Sequence, residues 1–325
     1  MSNHRRSAQI RSDWQKFRQK FSSGERTLAQ ATLVVRDLRD FLPEAAVTKP
    51  RLKDRVALVT GASRGGGKGI ALVLGEERAV VYVTGRSVRG EPTTLGRPGT
   101  IDDTAEELTA RGGTGIAIRC DHTDDSQVEA LFERIRNEHG RLDLLVNNAW
   151  SGYELPLYFE TPFWEMEWRH WDLMFEGGLR AAVFTSTLAA PMMIEAGRGL
   201  IVNMTWVLDR PHGVTFYEVV KNATNKLTEQ MADDLRPHGV ACVAVSPGFM
   251  RLERMDLSPE TAAKAESPEF PGRAIAALAS DPNVLAKSGG VFTTPALARE
   301  YGFTDVDGKQ QSAFWDEHWA GTWGT

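Results

Sequence analysis

Arg55-Val56-Ala57-Leu58-Val59-Thr60-Gly61-Ala62-Ser63-Arg64-Gly65-Gly66-Gly67-Lys68-Gly69-Ile70-Ala71 is the stretch from which the architecture of this chain is read. Val56 to Val59 is an apolar run of strand length, the glycines form a turn, and Ile70-Ala71 opens a helix. Strand, glycine turn and helix start in that order make a cradle for phosphate. Gly61 takes the tight turn, Gly65 lets backbone approach a pyrophosphate, and Gly67 lets the helix lie close on the strand. The helix N-terminus then turns free N–H groups and a partial positive charge toward the anion, with Ser63 and Arg64 inside the same turn. A glycine-rich loop alone is more often just a turn. The strand before it and the helix after it favour the ligand-binding reading.

Outward from that stretch, apolar runs alternate with helical patterns. Strands are expected at 55–60, 79–84, 115–120, 142–147, 199–204, 239–246 and 289–293, with helices near 68–76, 102–111, 125–139, 165–190, 214–236 and 271–280. The alternation predicts an α/β fold, a Rossmann-type doubly wound parallel seven-stranded sheet with ligand at the carboxyl ends of the strands. Residues 1–50 stand outside the pattern. Ile10, Trp14, Phe17 and Phe21 fall at helical spacing, and so do Leu28, Ala31, Val35, Leu38 and Leu42 after a capping box of Ser22 and Glu25. We read an N-terminal helical arm over 1–50 and a catalytic domain over 51–325. Arg5, Arg6, Arg11, Lys16, Arg18 and Lys20 against Asp13 leave two readings of the arm open: packing on the body or another subunit, or addressing an organelle or membrane surface.

Composition narrows the function classes. With 325 residues, 42% hydrophobic and 25% charged, the chain fits a globular protein with a sizeable core. A net charge of -5 offers no general attraction to nucleic acid or anionic membrane, so neither is expected as partner. No apolar run approaches the ~20 residues of a transmembrane helix. Cys120 and Cys242 lie in apolar runs and read as buried thiols, which suits a reducing, cytoplasmic setting. The seven histidines are scattered without ligand spacing, and no metal is expected.

Two clusters carry chemistry. The second strand ends in Thr84-Gly85-Arg86-Ser87, where a carboxylate would bind the ribose 2′-hydroxyl of NAD and a cation would bind a 2′-phosphate. No acid is adjacent, Arg86 is present and Arg64 faces the same corner, so NADP(H) is expected in preference to NAD. The bland alternative is a pair of solvated loop arginines. Farther along, Tyr217-Glu218-Val219-Val220-Lys221 puts a phenol and an ammonium on one helix face. A cation beside a phenol lowers its pKa from ~10 toward working pH, so that Tyr217 can pass a proton to a carbonyl oxygen.

Together, Thr-Gly-x-x-x-Gly-x-Gly at 60–67, Asn147-Asn148-Ala149, the strand ending Asn203-Met204-Thr205, Tyr217-x-x-x-Lys221 and Ser246-Pro247-Gly248 resemble the short-chain dehydrogenase/reductase family over residues 51 to 300. The closest likeness is to the member-one type, which also has a glycine in place of a helix asparagine. The resemblance implies Asp121 at the adenine, Asn148 bracing the cofactor loop, Lys221 on the nicotinamide ribose, and Pro247-Gly248 beneath the nicotinamide. It also implies a homodimer or homotetramer. Departures are plain. The family serine that holds the substrate carbonyl is missing. Thr205 is our candidate for its role, and Trp206 could instead take its place. The family asparagine that supports a proton-relay water aligns with Gly178, with Glu176 as a possible substitute. Trp150 stands where glycine is usual, and Leu252 where a hydroxyl is usual. Trp150, Tyr153 and Trp206 at strand ends suggest an aromatic pocket for a bulky apolar carbonyl compound. Trp164, Trp168 and Trp171 have helical spacing and read as core. Residues 252–271 read as a lid, and the aromatic tail from Tyr301 as a cover for the pocket or a subunit contact. The expected function is NADPH-dependent reduction of a hydrophobic ketone or aldehyde with Tyr217 as general acid. The alternative is a weakly catalytic NADP-binding regulatory or scaffold protein.

Overall fold

The computed structural model describes residues 51–155, 161–207, 213–253, 255 and 257–310. The chain divides at Lys49/Pro50. The expected arm at 1–50, Tyr158, Phe159 and the tail aromatics Phe314, Trp315, Trp319 and Trp323 lie outside the described residues. Strands β1 (Val56–Val59), β2 (Val80–Gly85), β3 (Thr114–Arg119), β4 (Leu144–Asn147), β5 (Gly199–Met204), β6 (Val240–Ser246) and β7 (Val291–Thr293) form one parallel sheet in the order β3-β2-β1-β4-β5-β6-β7. Between them run α1 (Gly65–Glu76), α2 (Ile101–Ala110), α3 (Asp125–His139), α4 (Arg169–Met174), a π-helical turn (Phe175–Arg180), α5 (Ala181–Glu195) and α6 (Thr215–Leu235), followed by α7 (Pro259–Lys264), α8 (Phe270–Ser280) and α9 (Thr294–Tyr301).

The apolar strands are buried on both faces because side chains alternate across a sheet. Val56 and Leu58 pack with Tyr82, Leu145 and Ile201, whereas Ala57 and Val59 pack with Val81, Val83, Val146 and Val202 on the other face. Strand order reverses between β1 and β4, and the chain leaving those two strands opens the crevice where such folds take ligands.

The structure refines the expected elements. Ser258-Pro259 was expected within a loop, yet Ser258 caps α7 by accepting from the Thr261 amide, and Pro259 occupies a first-turn position where its missing N–H costs nothing. The second half of the segment expected as a lid, 252–271, packs into the body. Ala265, Glu266, Ser267 and Phe270 are buried, and the Pro268 carbonyl packs against Gly69 of α1. The start of the tail also packs inward: Phe303 lies against Phe270 at 5.6 Å, and the Tyr301 hydroxyl donates to Asp281. Of the three tryptophans expected in the core, Trp171 meets the expectation, while Trp164 and Trp168 are 72% and 65% exposed.

Candidate active site

The cradle is held by side chains from the neighbouring strand end. The Asn148 amide donates to the carbonyls of Thr60 and Gly61 at 2.9 and 3.0 Å, and the backbone N–H groups of Asn148 and Ala149 donate to the Thr60 hydroxyl. Gly61 has φ +65°, and a Cβ there would lie 2.7 Å from Ala149 Cα; one on Gly67 would lie 2.4 Å from both Asn148 Nδ2 and the Gly61 carbonyl. Only glycine therefore lets the turn pack this closely on itself and on the end of β4. An anion already faces the helix start, since the Gly65 N–H donates to both carboxylate oxygens of Glu253 at 3.0 and 3.2 Å. The site thus receives the kind of charge that a dinucleotide pyrophosphate carries, and a nicotinamide dinucleotide fits its donor set.

A cleft of about 340 Å³ extends from this turn, lined among others by Gly61, Ser63, Arg64, Gly67, Arg86, Asp121, Asn148, Thr205, Tyr217, Lys221 and Pro247. Gly65 and Gly248 lie against its wall through neighbours. At the expected 2′-phosphate corner, Arg64 is engaged. It donates to the carbonyls of Pro98, Arg97 and Gly99 and to the Ser87 hydroxyl, which ties down the loop before α2. Burial, then repulsion from Arg97 and, more weakly, Arg86, lowers its pKa, against the pull of Glu253. Arg86 meets two acids that the local sequence did not show at that strand end: Glu154 at 2.6 Å and Asp121 at 4.0 Å. Asp121 accepts from the amide and hydroxyl of Thr123, and its own N–H donates to Gln127, so it is fixed at the far end of the cleft. Next to it His122 is buried against the Thr84 hydroxyl, and burial pushes its pKa down to about 4, which keeps it neutral.

At the other end Tyr217 is packed edge-on against Trp150 and Trp206, with ring centres 5.4 and 5.0 Å away, and stacked on Tyr153. Lys221 donates to the Met204 carbonyl at 3.2 Å, and burial pulls its pKa down to about 7. Thr205 reaches the cleft, but its hydroxyl is directed into α6, 2.6 Å from Asn225 Oδ1 and 3.1 Å from the Lys221 carbonyl. Its single proton is therefore already shared with acceptors on the Tyr–Lys helix. Trp206 packs on Tyr217, and Glu176 pairs with Arg180 on the exposed side of the π-turn, away from the lysine's contacts. Beneath the opposite wall, the Gly248 N–H donates to Glu266, a buried carboxyl whose other oxygen has no partner. Burial, with Asp305 adding to it, pushes the Glu266 pKa up to about 8, so it holds a proton at neutral pH. Asn147 and Asn203 complete the frame through a buried chain, Asn147 to Asn203 to Thr228, that ties β4 and β5 to α6.

Sequence reading missed Glu253, Glu154, Arg97, Asn225 and Glu266. The first three reach the cleft from loops with no motif. Asn225 alone carried a signal, being one further turn along the face that bears Tyr217 and Lys221.

The sequence profile of the short chain dehydrogenase family matches residues 55–261. Dehydrogenase/reductase SDR family member 1 of Mus musculus is 38% identical over 280 residues, covering 79% of this chain and 85% of its own. Among solved structures, a hydroxysteroid dehydrogenase from Escherichia coli superposes with a TM-score of 0.62 at 26% identity, covering 76% of this chain and 98% of its own. A 7α-hydroxysteroid dehydrogenase solved with NADH and 7-oxo glycochenodeoxycholic acid has a TM-score of 0.63 at 26% identity, covering 75% of this chain and 94% of its own. The family profile spans most of the chain and the curated relative most of its own length, and the chain belongs to the short-chain dehydrogenase/reductase family of nicotinamide-dependent oxidoreductases.

Proposed function

We propose that this protein reduces a bulky apolar ketone or aldehyde with NADPH, and oxidises the corresponding alcohol in reverse. The observation that carries this reading is that Tyr217 and Lys221 line the same cleft as the glycine cradle. The nicotinamide supplies hydride. Tyr217 gives a proton to the carbonyl oxygen, Lys221 stands one turn behind it as the cation that favours its ionised form, and Trp150, Tyr153 and Trp206 shape an apolar wall that excludes water. Arg86, with Arg97 and the engaged Arg64 behind it, supports NADP over NAD: three guanidiniums outnumber the two carboxylates, Glu154 and Asp121, at the corner where a 2′-phosphate would add charge. The steroid ligand of the related solved enzyme is in keeping with a large apolar substrate. Asp121 would meet the adenine, and Pro247-Gly248 would floor the nicotinamide.

One observation favours the second reading, a weakly catalytic NADP-binding protein: the Thr205 hydroxyl is bound to Asn225, so Thr205 would polarise a carbonyl only by giving that bond up. Steady-state NADPH oxidation against a panel of hydrophobic ketones and quinones separates the two. Turnover that Tyr217→Phe abolishes supports the reductase; tight NADPH binding with no turnover on any carbonyl supports the binding protein. Arg86→Ala tests the cofactor. It should weaken NADPH binding at least tenfold and leave NADH nearly unchanged, and an unchanged NADPH affinity would overturn the assignment. Size-exclusion chromatography with light scattering tests the expected dimer or tetramer, and fractionation of cells tests the cytoplasmic setting.

A further inference from the structure

The Lys221 ammonium lies 4.1 Å from the centre of the Trp150 ring and 5.6 Å from that of Tyr217, and it donates to the Met204 carbonyl at 3.2 Å. An ammonium has three protons to satisfy. Among the described residues no charged side chain contributes to its titration; burial does, and it brings the pKa to about 7. The groups facing it are Tyr217 on its own helix, Met204 and Thr205 at the end of β5, and Trp150 after β4. Beside the Met204 carbonyl and the more distant Tyr217 ring, the nearest aromatic face to the charge is that of an indole, the strongest of the natural aromatic partners for a cation.

The indole has this position because the helix opposite makes room. A Cβ on Gly178 would sit 2.5 Å from Trp150 Cζ3, and Gly178 belongs to the π-helical turn Phe175–Arg180, a type of bulge that recurs at functional sites. Trp150 Nε1 is buried with no hydrogen-bond partner, so hydrogen bonding of the indole does not explain its placement.

We propose that Trp150 is a positioning residue for Lys221: its indole, lodged in the hollow left by Gly178, holds the lysine as an ammonium and aims it at Tyr217. This rests on the reading of Tyr217 and Lys221 as the working pair.

The test is a pH titration of the Lys221 side chain by NMR in full-chain protein carrying 13C-labelled lysine, assigned by Lys221→Arg and recorded without cofactor. Trp150→Leu keeps the site dry but removes the ring face, so the charged form loses support and the lysine should titrate about one unit lower than in the unmodified protein. Trp150→Phe keeps a weaker ring and should fall between. Gly178→Ala, which displaces the indole, should shift the titration in the same direction. The pH profile of kcat/KM should follow these shifts, with a loss of about fivefold at pH 7 for Trp150→Leu and partial rescue by phenylalanine. If Lys221 titrates at the same pH in folded Trp150→Leu as in the unmodified protein, the proposal is overturned. Should the leucine variant not fold, Gly178→Ala decides on the same criterion. A protein that turns over no carbonyl would refute the reductase reading while the titration still judged Trp150.

Discussion

Tyr217 is enclosed by three aromatic rings, yet it still lines the cleft that begins at the glycine turn. Replacing it with phenylalanine keeps those ring contacts and removes only the proton. Tyr217→Phe should therefore lower kcat by about 10²- to 10⁴-fold with NADPH binding unchanged, read by steady-state kinetics beside fluorescence titration. Thr205 should behave differently. With its hydroxyl committed to Asn225, Thr205→Val should cost less than about tenfold in kcat/KM and about 1 kcal/mol in stability for the buried bond lost. A loss as large as that of Tyr217→Phe would show that Thr205 turns to the substrate during turnover. The sequence made Tyr217 and Lys221 legible because helix periodicity alone puts residues four apart on one face. It could not show where the Thr205 hydroxyl points, since one rotamer faces the cleft and another faces α6. Nor could it show that Trp150 would fill the space over Gly178, because that contact joins residues 28 apart in number, with the ring where a Cβ on Gly178 would meet it at 2.5 Å.

At the scale of elements, the strand–turn–helix unit of β1 and α1 was readable from its glycines, while the register of β1 with β2 and β4 is a finding of the structure. The closing piece was not readable. Glu253 comes from the segment after β6 and places its carboxylate on the Gly65 N–H, a contact between positions 188 apart. Pyrophosphate must displace that carboxylate to reach the helix start. Removing its charge should tighten NADPH binding: Glu253→Gln should lower Kd by about two- to fivefold, measured by calorimetry, as expected for a charge at a helix N-terminus. Weaker binding would mean that Glu253 helps to hold the cofactor. Gly67→Ala should act in the opposite direction and abolish binding, since its Cβ would meet both Asn148 and the Gly61 carbonyl at 2.4 Å. The element at 265–271 shows a different limit of the sequence. Prolines and serines marked it as loop, but burial of Phe270 and the bonds of Ser267 to Asp305 make it part of the body.

For the molecule as a whole, the doubly wound parallel sheet was predictable from alternating strands and helices, while part of its pH response comes from one carboxyl that no motif marks. Glu266 has its pKa raised from 4.5 to about 8, chiefly by burial and then by Asp305. Between those values the folded chain holds a proton that the unfolded chain has released. Stability should therefore decline as pH rises from about 5 to 7; above 7 the depressed Lys221, which the unfolded chain keeps protonated, adds a slope of opposite sign. Glu266→Gln keeps an oxygen for the Gly248 N–H and removes the titrating proton, so its melting temperature should vary less between pH 5 and pH 7. An identical slope in both proteins would place the titrating group elsewhere. The central claim joins cradle, cleft and Tyr–Lys helix into one oxidoreductase. It is tested most directly by following NADPH absorbance with a hydrophobic ketone in the unmodified protein and in Tyr217→Phe. The account predicts ketone-dependent NADPH consumption that disappears in the variant. Equal rates in the two proteins, or none in either despite bound NADPH, would contradict it.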